Sequence, residues 1–141
     1  MHREVKTDPF TWKPEYNVNI TLIDDQHKKF LEILNLLREG ILEKPCREKI
    51  SKIFFSLVHY AEHHLIQEEI YFKNYQYPNF TQHKEAHNNF IDRIIKFRED
   101  FEKGTENVCK EMYIFLVEWF ETHILKYDKE AVEFLLNKGV K

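Results

Sequence analysis

The sequence predicts an all-α chain folded as an antiparallel, up-down-up-down four-helix bundle, with an irregular N-terminal arm and a short C-terminal helix. Three observations lead there. Glycine is scarce, 3 of 141 residues against a usual share near 7%, which argues against a turn-rich β fold and a glycine-rich phosphate loop. Four long stretches repeat apolar residues at steps of three and four. The connections between them are short, with no low-complexity linker and no internal repeat.

At 141 residues the chain reads as one domain, 1–141. The arm, residues 1–19, carries Pro9, Trp12 and Pro14 and has no helical period. The bundle covers about 20–127 and the C-terminal helix about 128–138. The first helix is predicted from Thr21, where Thr21 and Asp24 have capping-box spacing, to Gly40. Its seam is Ile20, Ile23, position 27, Phe30, Leu34 and Leu37. The second starts around Pro45 and runs to about Lys73, on Ile50, Phe54, Leu57, Ala61, positions 64 and 68, and Tyr71. The third follows Pro78 and Asn79, with Asn79 and Gln82 as a second capping box, and ends at Gly104. Its seam is Phe80, positions 83 and 87, Phe90, Ile94, Phe97 and Phe101. The fourth starts near Thr105 on Cys109, Tyr113, Leu116, Phe120, position 123 and Tyr127.

Composition excludes several classes. Hydrophobic residues at 43%, with 12 Phe and 7 Tyr, exclude a disordered chain. A net charge of −3 offers no basic face for nucleic acid. No stretch reaches the ~18 consecutive apolar residues of a membrane span, and Met1 to Phe10 lacks the apolar core of a secretory signal. Cys46 and Cys109 form no CxxC and read as reduced thiols, so the expected location is the cytoplasm.

The chemistry lies in what interrupts the seams. The skipped positions are His27, His64, Glu68, His83, His87 and His123. Each stands where a core hydrophobe belongs, and a buried polar group without a partner costs about 1–3 kcal/mol. Such groups must satisfy one another or share a metal. His27 and the His83/His87 pair lie early in their helices; His64, Glu68 and His123 lie late in theirs. Alternating helix directions therefore bring all six to one end of the bundle. Adding Asp128 gives five imidazoles and two carboxylates, a set suited to iron, manganese or zinc, and without cysteine it excludes an iron–sulfur cluster. Around two octahedral ions, five imidazoles, two bridging carboxylates and one shared oxygen fill every position but one. Asp128 is the geometrically awkward member. It follows His123 by five residues, roughly 140° around a regular helix, so a wide turn or a helix end is predicted near Ile124 to Tyr127.

These residues and their neighbours carry a resemblance. Phe10-x-Trp12, Asp24-Asp25-Gln26-His27, His64-x3-Glu68-Glu69, Tyr77-Pro78, His83-x3-His87 and Trp119-x3-His123-Ile124-x3-Asp128 span nearly the whole chain. Together they resemble the hemerythrin family, in particular its single-domain bacterial members. The resemblance implies a non-haem, oxo- or hydroxo-bridged di-iron centre as cofactor and dioxygen as the partner, bound reversibly and end-on at the one open iron position. It implies that His83, His87 and His123 hold one iron, that His27 and His64 hold the other, and that Glu68 and Asp128 bridge. The departures are modest. Asn19 stands where bacterial members often have glycine, Leu65 replaces a frequent aromatic, and Phe120, rather than an aliphatic residue, precedes His123 by three, which the resemblance implies narrows the oxygen pocket.

Other residues read more plainly. His59 and His63 lie off the seam of the second helix and read as flanking or solvent-facing, outside the ligand set; His2 falls in the arm. Glu69 faces about 100° away from Glu68 and reads as solvated. Trp119, Phe120, Ile124, Phe30, Leu34 and Phe90 read as an apolar wall, with Tyr60 and Tyr127 nearby on helical spacing. Three function classes follow. The first is reversible oxygen binding as carrier, store or sensor. The second is a di-iron enzyme of peroxidase or nitric-oxide reductase type. The third is a sensory module signalling through its iron state. Oxidising di-iron bundles use Glu-x-x-His motifs with about four carboxylates, and this sequence has no Glu-x-x-His, which favours binding over catalysis.

Overall fold

The computed structural model describes residues 5, 8–43, 46–104 and 107–140. The expected starts at Pro45 and Thr105, and His2, lie outside the described residues. A single 3-10 turn, Pro14–Tyr16, interrupts the arm. Four helices follow: α1 is Thr21–Glu43, α2 is residues 47–74, α3 is Phe80–Glu102 and α4 is residues 108–137. α1 packs on α2 and α4, α2 on α3, and α3 on α4, closing the bundle.

The helix ends follow from local chemistry. The Asp24 carboxylate accepts hydrogen bonds from the backbone N–H of Val18 at 2.7 Å and of Asn19 at 3.1 Å, fixing the entry to α1. Asn19 sits at φ 69, a left-handed backbone conformation that glycine adopts without strain and asparagine tolerates. Gly40 does not stop α1, which continues through it to Glu43. Asn79 caps α3 by position but makes no side-chain cap hydrogen bond, so the second capping box does not form. Past the end of α3, Gly104 takes φ 78, the left-handed turn that ends helices. In the arm, the Asn35 amide clasps Phe10, accepting from its N–H and donating to its carbonyl, both at 2.7 Å.

Two helices change winding midway. α2 is α-helical over Arg47–Tyr60, wound as a π-helix over Ala61–Leu65, and α-helical again over Ile66–Asn74. α4 does the same, with its π segment at Trp119–Asp128 and α winding over Val108–Glu118 and Lys129–Asn137. The short C-terminal helix is thus the last part of α4, entered without a break.

The core has two apolar clusters. The larger runs from Ile50, Leu57 and Met112 to Phe30, Leu65 and Ile124. The smaller holds Ile20, Ile23, Phe72, Ala131, Val132 and Leu135. The polar layer lies between them. At the end of the bundle away from that layer, Cys46 and Cys109 are joined in a disulfide with Cα atoms 6.6 Å apart. This overturns the reading as reduced thiols. Alternating helix directions place the starts of α2 and α4 at one end, so cysteines far apart in sequence become neighbours. Cysteine usage therefore gives no argument for a reducing compartment. Among the described residues no helix is long and apolar enough to cross a membrane.

Candidate metal centre

α1 contributes His27, α2 contributes His64 and Glu68, α3 contributes His83 and His87, and α4 contributes His123 and Asp128. All seven side chains are buried. Their donor atoms form two overlapping groups, each within 4.8 Å: Glu68, His83, His87, His123 and Asp128, and His27, His64, Glu68 and Asp128. The two carboxylates are common to both.

The π segment of α4 puts Asp128 in place. Residues five apart lie close to one full turn of an i→i+5 helix, so Asp128 returns to the face of His123. Its Oδ1 lies 3.1 Å from His123 Nε2 and 2.8 Å from His83 Nε2, while Oδ2 lies 3.0 Å from His27 Nε2 and 3.9 Å from His64 Nε2. Glu68 divides the same way. Oε1 lies 3.5 Å from His83 Nε2 and 3.3 Å from His87 Nε2; Oε2 lies 3.7 Å from His27 Nε2 and 3.4 Å from His64 Nε2. Each carboxylate thus turns one oxygen to the three-histidine side and the other to the two-histidine side, as a bridging ligand does.

The donors fit metal ions better than they fit one another. Both Glu68 oxygens and His64 Nε2 are fully buried without a hydrogen-bond partner. Such groups are costly unless something else binds them. With no metal, protons take its place. Burial opposes a charge on His27 and His83, but hydrogen bonds from Asp128 and the close negative charges of Asp128 and Glu68 outweigh it, raising them to about 9 and about 10. His87 is raised for the same reasons, with Glu69 adding to the pull. His123 is lowered, by burial first and by repulsion from His87 and His83. Burial pushes both the Glu68 and Asp128 carboxyls upward, and the charge of Asp128 adds to this at Glu68, yet the surrounding histidines hold both well below the ordinary carboxylate range.

The outer face of the site contains groups that the sequence reading did not assign. Gln26 Oε1 lies 2.5 Å from His64 Nδ1, and Glu69 Oε2 lies 3.0 Å from His87 Nδ1. Each fixes the orientation of an imidazole whose Nε2 faces the centre. Glu69 is half-buried against α3 rather than solvated. Its position beside Glu68 was the only available signal, and sequence spacing does not show which neighbouring helix it reaches. Trp119 stacks on His123 with centroids 3.9 Å apart, and Tyr60 lies against His64 at 4.8 Å. Trp119 Nε1 donates to the Tyr60 hydroxyl at 3.3 Å, linking the two histidine groups across the wall. Burial, and the nearby charges of Asp128 and Glu68, raise the Tyr60 hydroxyl well above its ordinary range, so it keeps its proton. Tyr127 lies on the surface, and His59 and His63 are also exposed.

A four-helix bundle enclosing five imidazoles and two shared carboxylates is a dinuclear metal-binding protein by its geometry. The family model for the hemerythrin HHE cation binding domain matches residues 18–135, and the chain belongs to this family. Among relatives, the chain is 33% identical to a bacteriohemerythrin of Clostridium acetobutylicum, over 88% of this chain and 99% of that one. It is 32% identical to a bacteriohemerythrin of Pseudomonas paraeruginosa, over 86% of this chain and 78% of that one. A hemerythrin subunit of Golfingia vulgaris is 28% identical over 86% of this chain and 89% of its own length.

Proposed function

We propose that this chain binds dioxygen reversibly at a non-haem di-iron centre, with His83, His87 and His123 holding one iron and His27 and His64 the other. Glu68 and Asp128 bridge. The observation that supports this is the division of the carboxylate oxygens, one toward each histidine group. Iron held there supplies electrons that an oxygen ligand can take up and return.

The protein's own contribution is positioning and exclusion. Phe30, Leu65, Phe120 and Ile124, all buried, pack the larger cluster against the ligand layer and keep water and stray protons out. Tyr60 stays neutral beside His64, so it adds no negative charge to the site. Gln26 and Glu69 hold two imidazoles by their outer nitrogens. We read the chain as an oxygen binder rather than an enzyme. Five neutral imidazoles with two carboxylates stabilise high-valent iron less well than the carboxylate-rich sets of oxidising bundles.

Iron analysis of the purified protein should give two iron ions per chain. Cycling the reduced protein between oxygen and inert gas should raise and remove a visible charge-transfer band. One metal or none, or irreversible oxidation with turnover of peroxide or nitric oxide, would overturn the reading.

A further inference from the structure

We propose that His59 and His63 form a second metal site, a surface chelate for one borderline divalent transition-metal ion such as Ni²⁺, separate from the buried centre. The two imidazoles stand four residues apart on the outer face of α2, both exposed, with ring centroids 4.1 Å apart. They straddle the point where α winding ends at Tyr60 and π winding begins at Ala61. In a regular helix, residues four apart are offset by about 40°; the wider π turn draws the later one back, setting His63 more squarely over His59. No hydrogen bond or ion pair among the described residues occupies either ring. Both are thus free to turn a nitrogen lone pair toward the same ion.

The surroundings fit an exchangeable ion. The pair lines a groove of about 860 Å³ between α1 and α2. Asp25 and Glu32 face it, but so do Lys28 and Lys29, so net charge does not select the occupant. Imidazole does: it suits nickel, copper and zinc and disfavours magnesium and calcium. Among the described residues no third His, Cys, Asp or Glu completes a cage around the pair, so water supplies the remaining ligands. The groove also reaches Gln26 and His64, so an ion held here sits against the outer wall of the buried centre.

The test is a calorimetric Ni²⁺ titration of the protein as purified, with iron content measured before and after. One Ni²⁺ should bind saturably per chain, with iron retained. A His59→Ala variant should bind at least about tenfold more weakly, since one imidazole remains. The His59→Ala/His63→Ala double variant should lose saturable binding while keeping its iron content and visible spectrum, which also shows that it folds. A His2→Ala variant should bind as the parent does. The proposal fails if the parent shows no saturable binding or the double variant binds as tightly. It also fails if His2→Ala abolishes binding, or if the double variant loses its iron.

Discussion

At the scale of single residues, the site is held from outside as well as from within. His87 offers Nε2 to the centre while its Nδ1 rests on the Glu69 carboxylate at 3.0 Å. Removing such a partner usually weakens metal binding about 10–100-fold without removing a ligand. Glu69→Ala should therefore keep two irons at saturation but lose them to a competing chelator at about 10–100-fold lower concentration. Unchanged competition would show that Glu69 has no orienting role. His83→Ala, by contrast, should lower the iron content itself, and full occupancy would remove His83 from the ligand set. The contrast shows what a sequence can reveal. His27, His64, Glu68, His83, His87 and His123 were legible because each breaks an apolar seam, and a broken seam shows without knowledge of neighbouring helices. Gln26 and Glu69 break nothing. Their partnerships depend on how one helix is rotated against the next, which spacing along one chain does not encode.

At the scale of elements, the two π segments separate what was foreseeable from what was not. The five-residue step from His123 to Asp128 misfits a regular helix, and the misfit pointed to a wide turn or a helix end; the helix runs on, through a wide turn at Trp119–Asp128. His64 and Glu68 are four apart and share a face in a regular helix too. The π turn at Ala61–Leu65 therefore left no trace in the spacing. The extra residue per turn also moves the seam of α4. Tyr127 was placed in the core by steps of three and four, yet it is 46% exposed, and Asp128 takes the interior position. Tyr127→Ser should accordingly change unfolding free energy by less than about 0.5 kcal/mol. Phe120→Ala, seven residues earlier and buried, should lose about 3–5 kcal/mol. Denaturant melts of the two variants decide this, and comparable losses would restore Tyr127 to the core. Gly40 shows the same limit in another form. Glycine permits a helix to end but does not compel it, and α1 runs past it to Glu43, with Ile41 beyond the glycine packed against the larger apolar cluster.

At the scale of the whole molecule, the bundle is fastened at both ends by different chemistry. The disulfide closes a 63-residue separation at one end, worth about 4 kcal/mol on a chain-entropy estimate. Cys109→Ser should lower stability by that order while leaving iron content intact, since the ligand layer is at the other end. At the ligand end, metal and protons compete for the same cavity. In the metal-free protein His27 and His83 titrate near 9 and 10, above the ordinary 6.5. A raised pKa stabilises the fold fully below the unfolded value and loses that contribution as pH climbs through the folded one. Glu68 and Asp128, held low, act in the opposite sense, stabilising above the ordinary carboxylate range and ceasing to do so in acid. The metal-free protein should therefore melt at falling temperature as pH rises from about 7 to 10. The loaded protein, in which metal replaces those protons, should show no such fall. The same competition fixes the stoichiometry of loading. At pH 8 both His27 and His83 carry protons that ligation must displace, so metal uptake should release about two protons per chain from them. Loading the metal-free protein in buffers of different ionisation enthalpy measures that number directly. Uptake with no proton release would mean that the empty cavity does not hold its charge in the way its carboxylates require.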